Sequence, residues 1–211
     1  MAFSQKLFDE LPIVAILRGY GVEQSTRAAE AAVDGGIVNV EVTMNTADVA
    51  GCIAAMAARL AGRANVGAGT VCSLEDLKIA LDAGAQFIVT PVVVPDVIAE
   101  CNRKGIPIIC GALTPTEVHQ AVTAGADYVK IFPVHTAGGP EYIKALKGPL
   151  DQVKYIPTGS VDAENMPAYL RAGAFGFGVG SPVFRKDRIE AEDWAWISAG
   201  ATRLKEVYLN A

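Results

Sequence analysis

Residues 106–133, IPIICGALTPTEVHQAVTAGADYVKIFP, hold one complete structural repeat and the start of the next. The apolar run 106–113 reads as a strand buried on both faces. Thr114-Pro115-Thr116-Glu117 then signals a helix start, with proline at the first helical position and a glutamate placed to reach back to the cap. Gly125 sits where a left-handed residue ends a helix, and 128–133 is again apolar and strand-like. Strand, helix and strand in that order predict a parallel pair joined by a crossover helix.

The same punctuation extends in both directions. Glycines that close helical patterns recur at Gly35, Gly62, Gly84, Gly105, Gly125, Gly148 and Gly173, at intervals of 20 to 27 residues. Each is followed within a few residues by an apolar run, at 38–44, 64–70, 86–91, 106–113, 128–133, 153–159 and 174–180. With Ile13-Val14-Ala15-Ile16-Leu17 ahead of the first helix, the chain carries eight predicted strands, and Ser73-Leu74-Glu75-Asp76 resembles a capping box. Eight alternating units without a linker or charge block predict an α/β fold of the (β/α)8 TIM barrel type, a single domain over residues 1–211. The competing architecture is an open, doubly wound parallel sheet. Arg18-Gly19-Tyr20-Gly21 after the first strand lacks the G-x-G-x-x-G dinucleotide fingerprint expected there.

Composition narrows the functional classes. Half of the 211 residues are hydrophobic (51%) and 19% are charged, yet no apolar stretch approaches the roughly 20 residues of a membrane span. The opening MAFSQKLFDELP lacks a basic segment backed by a long apolar region, so no membrane partner and a soluble, cytoplasmic protein are expected. A net charge of −5 leaves no basic stripe for a nucleic-acid backbone. Cys52, Cys72, Cys101 and Cys110 form no C-x-x-C pair and are expected to be buried free thiols. His119, in a helical stretch, and His135, in a loop, form no metal-binding pattern, so no metal and no cofactor are expected.

In a barrel the active site lies at the carboxyl ends of the strands, so polar residues late in apolar runs are the candidates. Lys130 within Tyr128-Val129-Lys130-Ile131-Phe132-Pro133 is the foremost, because desolvation would push its ammonium toward the neutral, nucleophilic form. The alternative is a lysine that snorkels to solvent. Glu41 and Thr43 share a strand parity and are expected to face the barrel interior. A buried Glu41 needs a partner, and Lys130 is the obvious one. Their pairing reads either as an ion pair that fixes the core or as a Schiff-base lysine beside a general acid-base. Arg18 is either a carboxylate clamp or a member of a rim ion pair. Thr70 and Thr90 are candidate hydroxyl donors, although threonine also ends strands for propensity reasons. Thr158-Gly159-Ser160 and Gly178-Val179-Gly180-Ser181, at the last two strands, suit phosphate binding by backbone amides, although glycine and serine also end strands for geometric reasons.

Six motifs in order, Ile16-Leu17-Arg18, Val40-Glu41-Val42-Thr43, Gly67-Ala68-Gly69-Thr70-Val71, Val129-Lys130-Ile131-Phe132-Pro133, Pro157-Thr158-Gly159 and Gly178-Val179-Gly180-Ser181, resemble the 2-keto-3-deoxy-6-phosphogluconate (KDPG)/4-hydroxy-2-oxoglutarate (KHG) aldolase family, including its 2-keto-3-deoxy-6-phosphogalactonate branch. The resemblance implies a metal-independent class I aldolase, usually a homotrimer, that cleaves a phosphorylated 2-keto-3-deoxy sugar acid to pyruvate and glyceraldehyde 3-phosphate. Carried over by resemblance, Lys130 forms the Schiff base and Glu41 moves protons. Arg18 and Thr70 hold the pyruvyl carboxylate end, Pro91 and Phe132 line the substrate channel, and Thr158, Gly159, Ser160, Gly180 and Ser181 form the phosphate pocket. Two positions depart from the family pattern: Asn45 stands where some members carry arginine, and Ser160 stands where T-G-G is frequent. The expected substrate is KDPG. The galactonate epimer, 4-hydroxy-2-oxoglutarate and a non-catalytic sugar-phosphate binding barrel are the alternatives.

Overall fold

In the computed structural model, which describes residues 2–211, all eight predicted strands form and pair in parallel. They are β1 (Ile13–Leu17), β2 (Asn39–Thr43), β3 (Asn65–Gly69), β4 (Phe87–Val89), β5 (Ile108–Ala112), β6 (Tyr128–Ile131), β7 (Tyr155–Pro157) and β8 (Phe177–Val179). From β1 to β7 each strand pairs with its sequence neighbours, and β8 pairs with β1, so the order is that of a barrel and not of an open doubly wound sheet. The seam is between β7 and β8, which meet through a single bridge, Thr158 to Gly178, and through the Phe175 amide donating to the Tyr155 carbonyl at 2.8 Å.

The helices between the strands follow as the sequence indicates. α1 (Gln5–Glu10) precedes β1, and α2 (Val22–Asp34), α3 (Val49–Arg59), α4 (Leu74–Asp82), α5 (Pro95–Lys104), α6 (Pro115–Thr123), α7 (Pro140–Lys147) and α8 (Met166–Arg171) alternate with the strands. α9 (Lys186–Glu190) and α10 (Trp194–Leu209) close the chain. Thr114 and Glu117 form a complete capping box on α6 with Pro115 in its first turn. Ser73 caps α4 by accepting from the Asp76 amide, while the Asp76 carboxylate accepts from the Cys72 amide.

Three readings are corrected. Gly35 and Gly148 have right-handed backbone, and the left-handed turn after α2 falls on Gly36 instead. An added Cβ on Gly35 would meet the Ala201 Cβ at 2.7 Å, so that glycine serves the close approach of α10 to α2. Cys72 is exposed, while Cys52, Cys101 and Cys110 are buried, because Cys72 lies in the loop beyond β3 and not on a core-facing element. His135 occupies a short 3-10 turn, Val134–Ala137.

The lower part of the barrel is an aromatic and aliphatic plug. Phe8 of α1 packs with Val14, Phe87, Val89, Ile109, Tyr128 and Ile156, and its ring lies 4.8 Å from that of Tyr128. Beside it, Asn39, Asn65 and Gln86 at the amino ends of β2 to β4 bind α1 and its lead-in. Asn65 accepts from the Ser4 amide at 2.7 Å and donates to Asn39, Asn39 donates to the Leu11 carbonyl, and Gln86 donates to the Ala2 carbonyl. The amino-terminal helix therefore seals the end of the barrel opposite the candidate site. Among the described residues no helix is long and apolar enough to cross a membrane.

Candidate active site

Strand alternation places Glu41 of β2 and Lys130 of β6 inside the barrel, where both line one small cavity with Val14, Ile16, Val89, Ile109, Ile156, Thr158 and Gly178. Its volume of about 10 Å³ is room for about one water. Both charged side chains are almost fully buried, Glu41 at 1% and Lys130 at 7% exposure. Lys130 does not snorkel out. Glycine neighbours both in the register, Gly67 beside Glu41 and Gly111 beside Lys130, where an added Cβ would meet the Phe87 ring and the Pro91 backbone. A Cβ on Gly69 would stand 2.7 Å from the Glu41 carboxyl carbon, so a larger residue there would displace that carboxyl group.

The expected ion pair does not form. No salt bridge joins Glu41 to Lys130 among the described residues, and both Glu41 carboxylate oxygens are buried without a hydrogen-bond partner. Burial pushes the Glu41 carboxyl well above the usual carboxylate range, and the more distant charges of Lys130 and Arg18 only partly offset this. Burial also pushes the Lys130 ammonium below the usual lysine range, opposed by Glu41 and aided by Arg18. Each group is thus biased toward its neutral form. The Lys130 ammonium lies 5.2 Å from the centre of the Phe132 ring, which roofs it on the solvent side of the strand.

Above this layer a cavity of about 310 Å³ opens at the carboxyl ends of β1, β6, β7 and β8. Seven of the sequence candidates, Arg18, Phe132, Thr158, Gly159, Ser160, Gly180 and Ser181, line it together. The two cavities share Ile16, Thr158 and Gly178, so the mouth leads down to Lys130 and Glu41. The backbone N–H groups of Gly159, Ser160 and Ser181 have no partner among the described residues, which leaves donors for an anion. Arg18 is exposed and joins no rim ion pair among the described residues, so its guanidinium is left for a ligand.

Three candidates stand elsewhere. Thr70 and Pro91, half-buried at the ends of β3 and β4, do not line the mouth cavity. Thr90 is corrected from ligand donor to scaffold: its hydroxyl donates to the Val92 carbonyl at 2.7 Å and accepts from the Gly111 amide at 3.1 Å. The residues that sequence reasoning missed are Tyr20, Val161, Pro182 and Phe184 in the cavity wall, and Thr46. Thr46, buried after β2, accepts from the Gly19 amide at 3.0 Å and ties the Arg18 loop to the strand that carries Glu41. Position just past a strand end was the available signal for Tyr20. The contact made by Thr46 is long-range and has no local signature.

Fold and site together define a barrel enzyme built around a desolvated lysine and a desolvated, unpaired carboxylate. The model of the KDPG and KHG aldolase family matches residues 5–200, and the chain belongs to that family. A 2-dehydro-3-deoxy-phosphogluconate aldolase of Treponema pallidum is 38% identical over 76% of this chain and 74% of its own length. A 2-dehydro-3-deoxy-6-phosphogalactonate aldolase of Escherichia coli is 36% identical over 83% of this chain and 86% of its own. Among solved structures, a native KDPGal structure superposes with a TM-score of 0.89 at 32% identity, covering 100% of this chain and 98% of that one. A Legionella pneumophila KDPG aldolase holding pyruvate as a covalent carbinolamine has a TM-score of 0.87 at 27% identity, over 94% and 96% of the two chains. This protein is an aldolase, a carbon–carbon lyase.

Proposed function

We propose that the chain cleaves 2-keto-3-deoxy-6-phosphogluconate to pyruvate and glyceraldehyde 3-phosphate through an imine on Lys130. The observation that carries this reading is the Glu41 carboxylate, buried with both oxygens unpartnered in the cavity that also holds Lys130. A structural ion pair would not leave it so. In the proposed sequence neutral Lys130 attacks the C2 carbonyl to form a carbinolamine, and Glu41, entering as the neutral acid, gives the proton with which the hydroxyl leaves as water, so that a protonated imine and a Glu41 carboxylate remain. Glu41, directly or through one water, takes the C4 hydroxyl proton. The C3–C4 bond then breaks, its electron pair passes into the imine to give an enamine, and the aldehyde leaves. Glu41 returns a proton to C3, and water hydrolyses the protonated imine to pyruvate and free Lys130, with the released proton restoring the Glu41 acid.

The rest of the site supplies binding. Arg18 and Phe132 of the cavity wall, with Thr70 and Pro91 assigned from the family resemblance at the ends of β3 and β4, hold the carboxylate end and line the channel, and the amides at Gly159, Ser160 and Ser181, with Thr158 and Gly180, receive the phosphate. No metal or cofactor takes part in this scheme. A second reading, the phosphogalactonate epimer, is supported by Asn45 and by the name of the Escherichia coli relative. A homotrimer in the cytoplasm is proposed with the activity. Leu74, Val92 and Val122, all large apolar side chains left exposed, support burial against other copies.

Borohydride reduction in the presence of pyruvate, followed by intact mass and peptide mapping, tests the nucleophile without assuming the sugar acid. Irreversible modification at Lys130 is expected. Modification elsewhere, or none in folded protein, would remove the imine step.

A further inference from the structure

Tyr20 lines the mouth cavity in company with Arg18, Ser160 and Ser181, and the aldol scheme gives it no task. Its hydroxyl makes no hydrogen bond among the described residues. The hydroxyls of Tyr128, Tyr142, Tyr155 and Tyr208 are each bonded within the protein, and Tyr169, whose hydroxyl also makes no hydrogen bond among the described residues, does not line this cavity. A half-buried phenol without a partner, at the rim of a cavity, has donor capacity that only solvent or a ligand can use.

Its position is set before any ligand arrives. The Ser25 hydroxyl donates to the Tyr20 carbonyl at 3.2 Å, the preceding Gly19 amide is held by Thr46 at 3.0 Å, and the ring packs against the main core. Burial first, and then the nearby carboxylates of Glu190 and Asp187, raise the pKa of the phenol, so it stays a donor at neutral pH. Those carboxylates are themselves compensated, Asp187 by Arg185 at 2.6 Å and Glu190 by Lys186 at 3.7 Å, which limits their repulsion of an anion.

We propose that Tyr20 is a specificity-determining residue whose hydroxyl donates a hydrogen bond to the terminal phosphate of the substrate, favouring phosphorylated over unphosphorylated 2-keto acids. This deepens the proposed function and rests on that reading of the cavity. A hydrogen bond to a charged acceptor is worth enough to change affinity by about tenfold.

The test is Tyr20→Phe, which keeps the ring and removes only the donor. KM and kcat are measured on KDPG and on 4-hydroxy-2-oxoglutarate, and the affinity for sn-glycerol 3-phosphate is titrated by calorimetry on both proteins. KM for KDPG and the dissociation constant for glycerol phosphate are expected to rise about tenfold, with kcat and the KM for the unphosphorylated acid unchanged. Unchanged glycerol phosphate affinity, no measurable wild-type affinity, or an equal loss on both substrates would overturn the assignment. If the wild type cleaves neither acid, the functional reading falls, and the glycerol phosphate titration still decides the role of Tyr20.

Discussion

The two ends of this barrel treat buried polar groups in opposite ways. At the amino end Asn39 and Asn65 are buried in a closed network with each other, Ser4 and Leu11. At the carboxyl end Glu41 is equally buried, is pushed toward its neutral form and has no hydrogen-bond partner for either oxygen among the described residues. Satisfied amides add rigidity at little electrostatic cost. A desolvated carboxylate opposite a desolvated lysine costs stability, and persists because the surrounding strands hold both in place. The contrast assigns stability to one end and chemistry to the other, the division expected of a (β/α)8 barrel.

Exchanging the charged pair for neutral groups strains this comparison most. Lys130→Met is expected to lower turnover by about five orders of magnitude, as loss of a covalent nucleophile does. Lys130→Met combined with Glu41→Gln is expected to raise unfolding free energy at neutral pH by about 1–4 kcal/mol. A less stable double variant in denaturant melts would mean that the pair supports the core after all.

At the other end the signs reverse. Asn65→Ala strands the Ser4 amide and the Asn39 side chain, so it should lose about 2–3 kcal/mol of stability while kcat changes by no more than about twofold. A large fall in kcat with normal stability would show that the two ends are coupled.

The finest test is the pH dependence of imine formation with pyruvate. Imine formation needs neutral Lys130, so its rate should rise with pH through a midpoint below the ordinary lysine range. The Glu41 carboxylate favours the ammonium and the Arg18 guanidinium disfavours it. Glu41→Gln should therefore move the midpoint down, and Arg18→Gln should move it up. Shifts of the opposite sign in a pH–rate titration would place these charges differently around the lysine.

How much of this was legible in advance depends on the range of the interaction involved. The eight strands were readable because parallel strands buried on both faces are continuously apolar, and because capped helices and glycine exits are local signals. Lys130 and Glu41 were readable because a charge inside such a run is conspicuous. The sealing helix α1 was missed because six residues carry too little periodicity, and its hold on the barrel comes from Asn39, Asn65 and Gln86, which are distant in sequence. Thr90 was misread because its hydroxyl is consumed by Val92 and Gly111, the latter 21 positions away.

The sequence by itself determined the repeat, the parity that turns Glu41 inward and the lysine within an apolar strand, all consequences of local chain geometry and hydrophobic patterning. Only the tertiary structure decided that Glu41 and Lys130 share a cavity without pairing, and that Tyr20 joins the two glycine–serine turns at the mouth. Closing eight strands into a barrel sets the distances between residues nearly a hundred positions apart, and desolvation is a property of that closed interior.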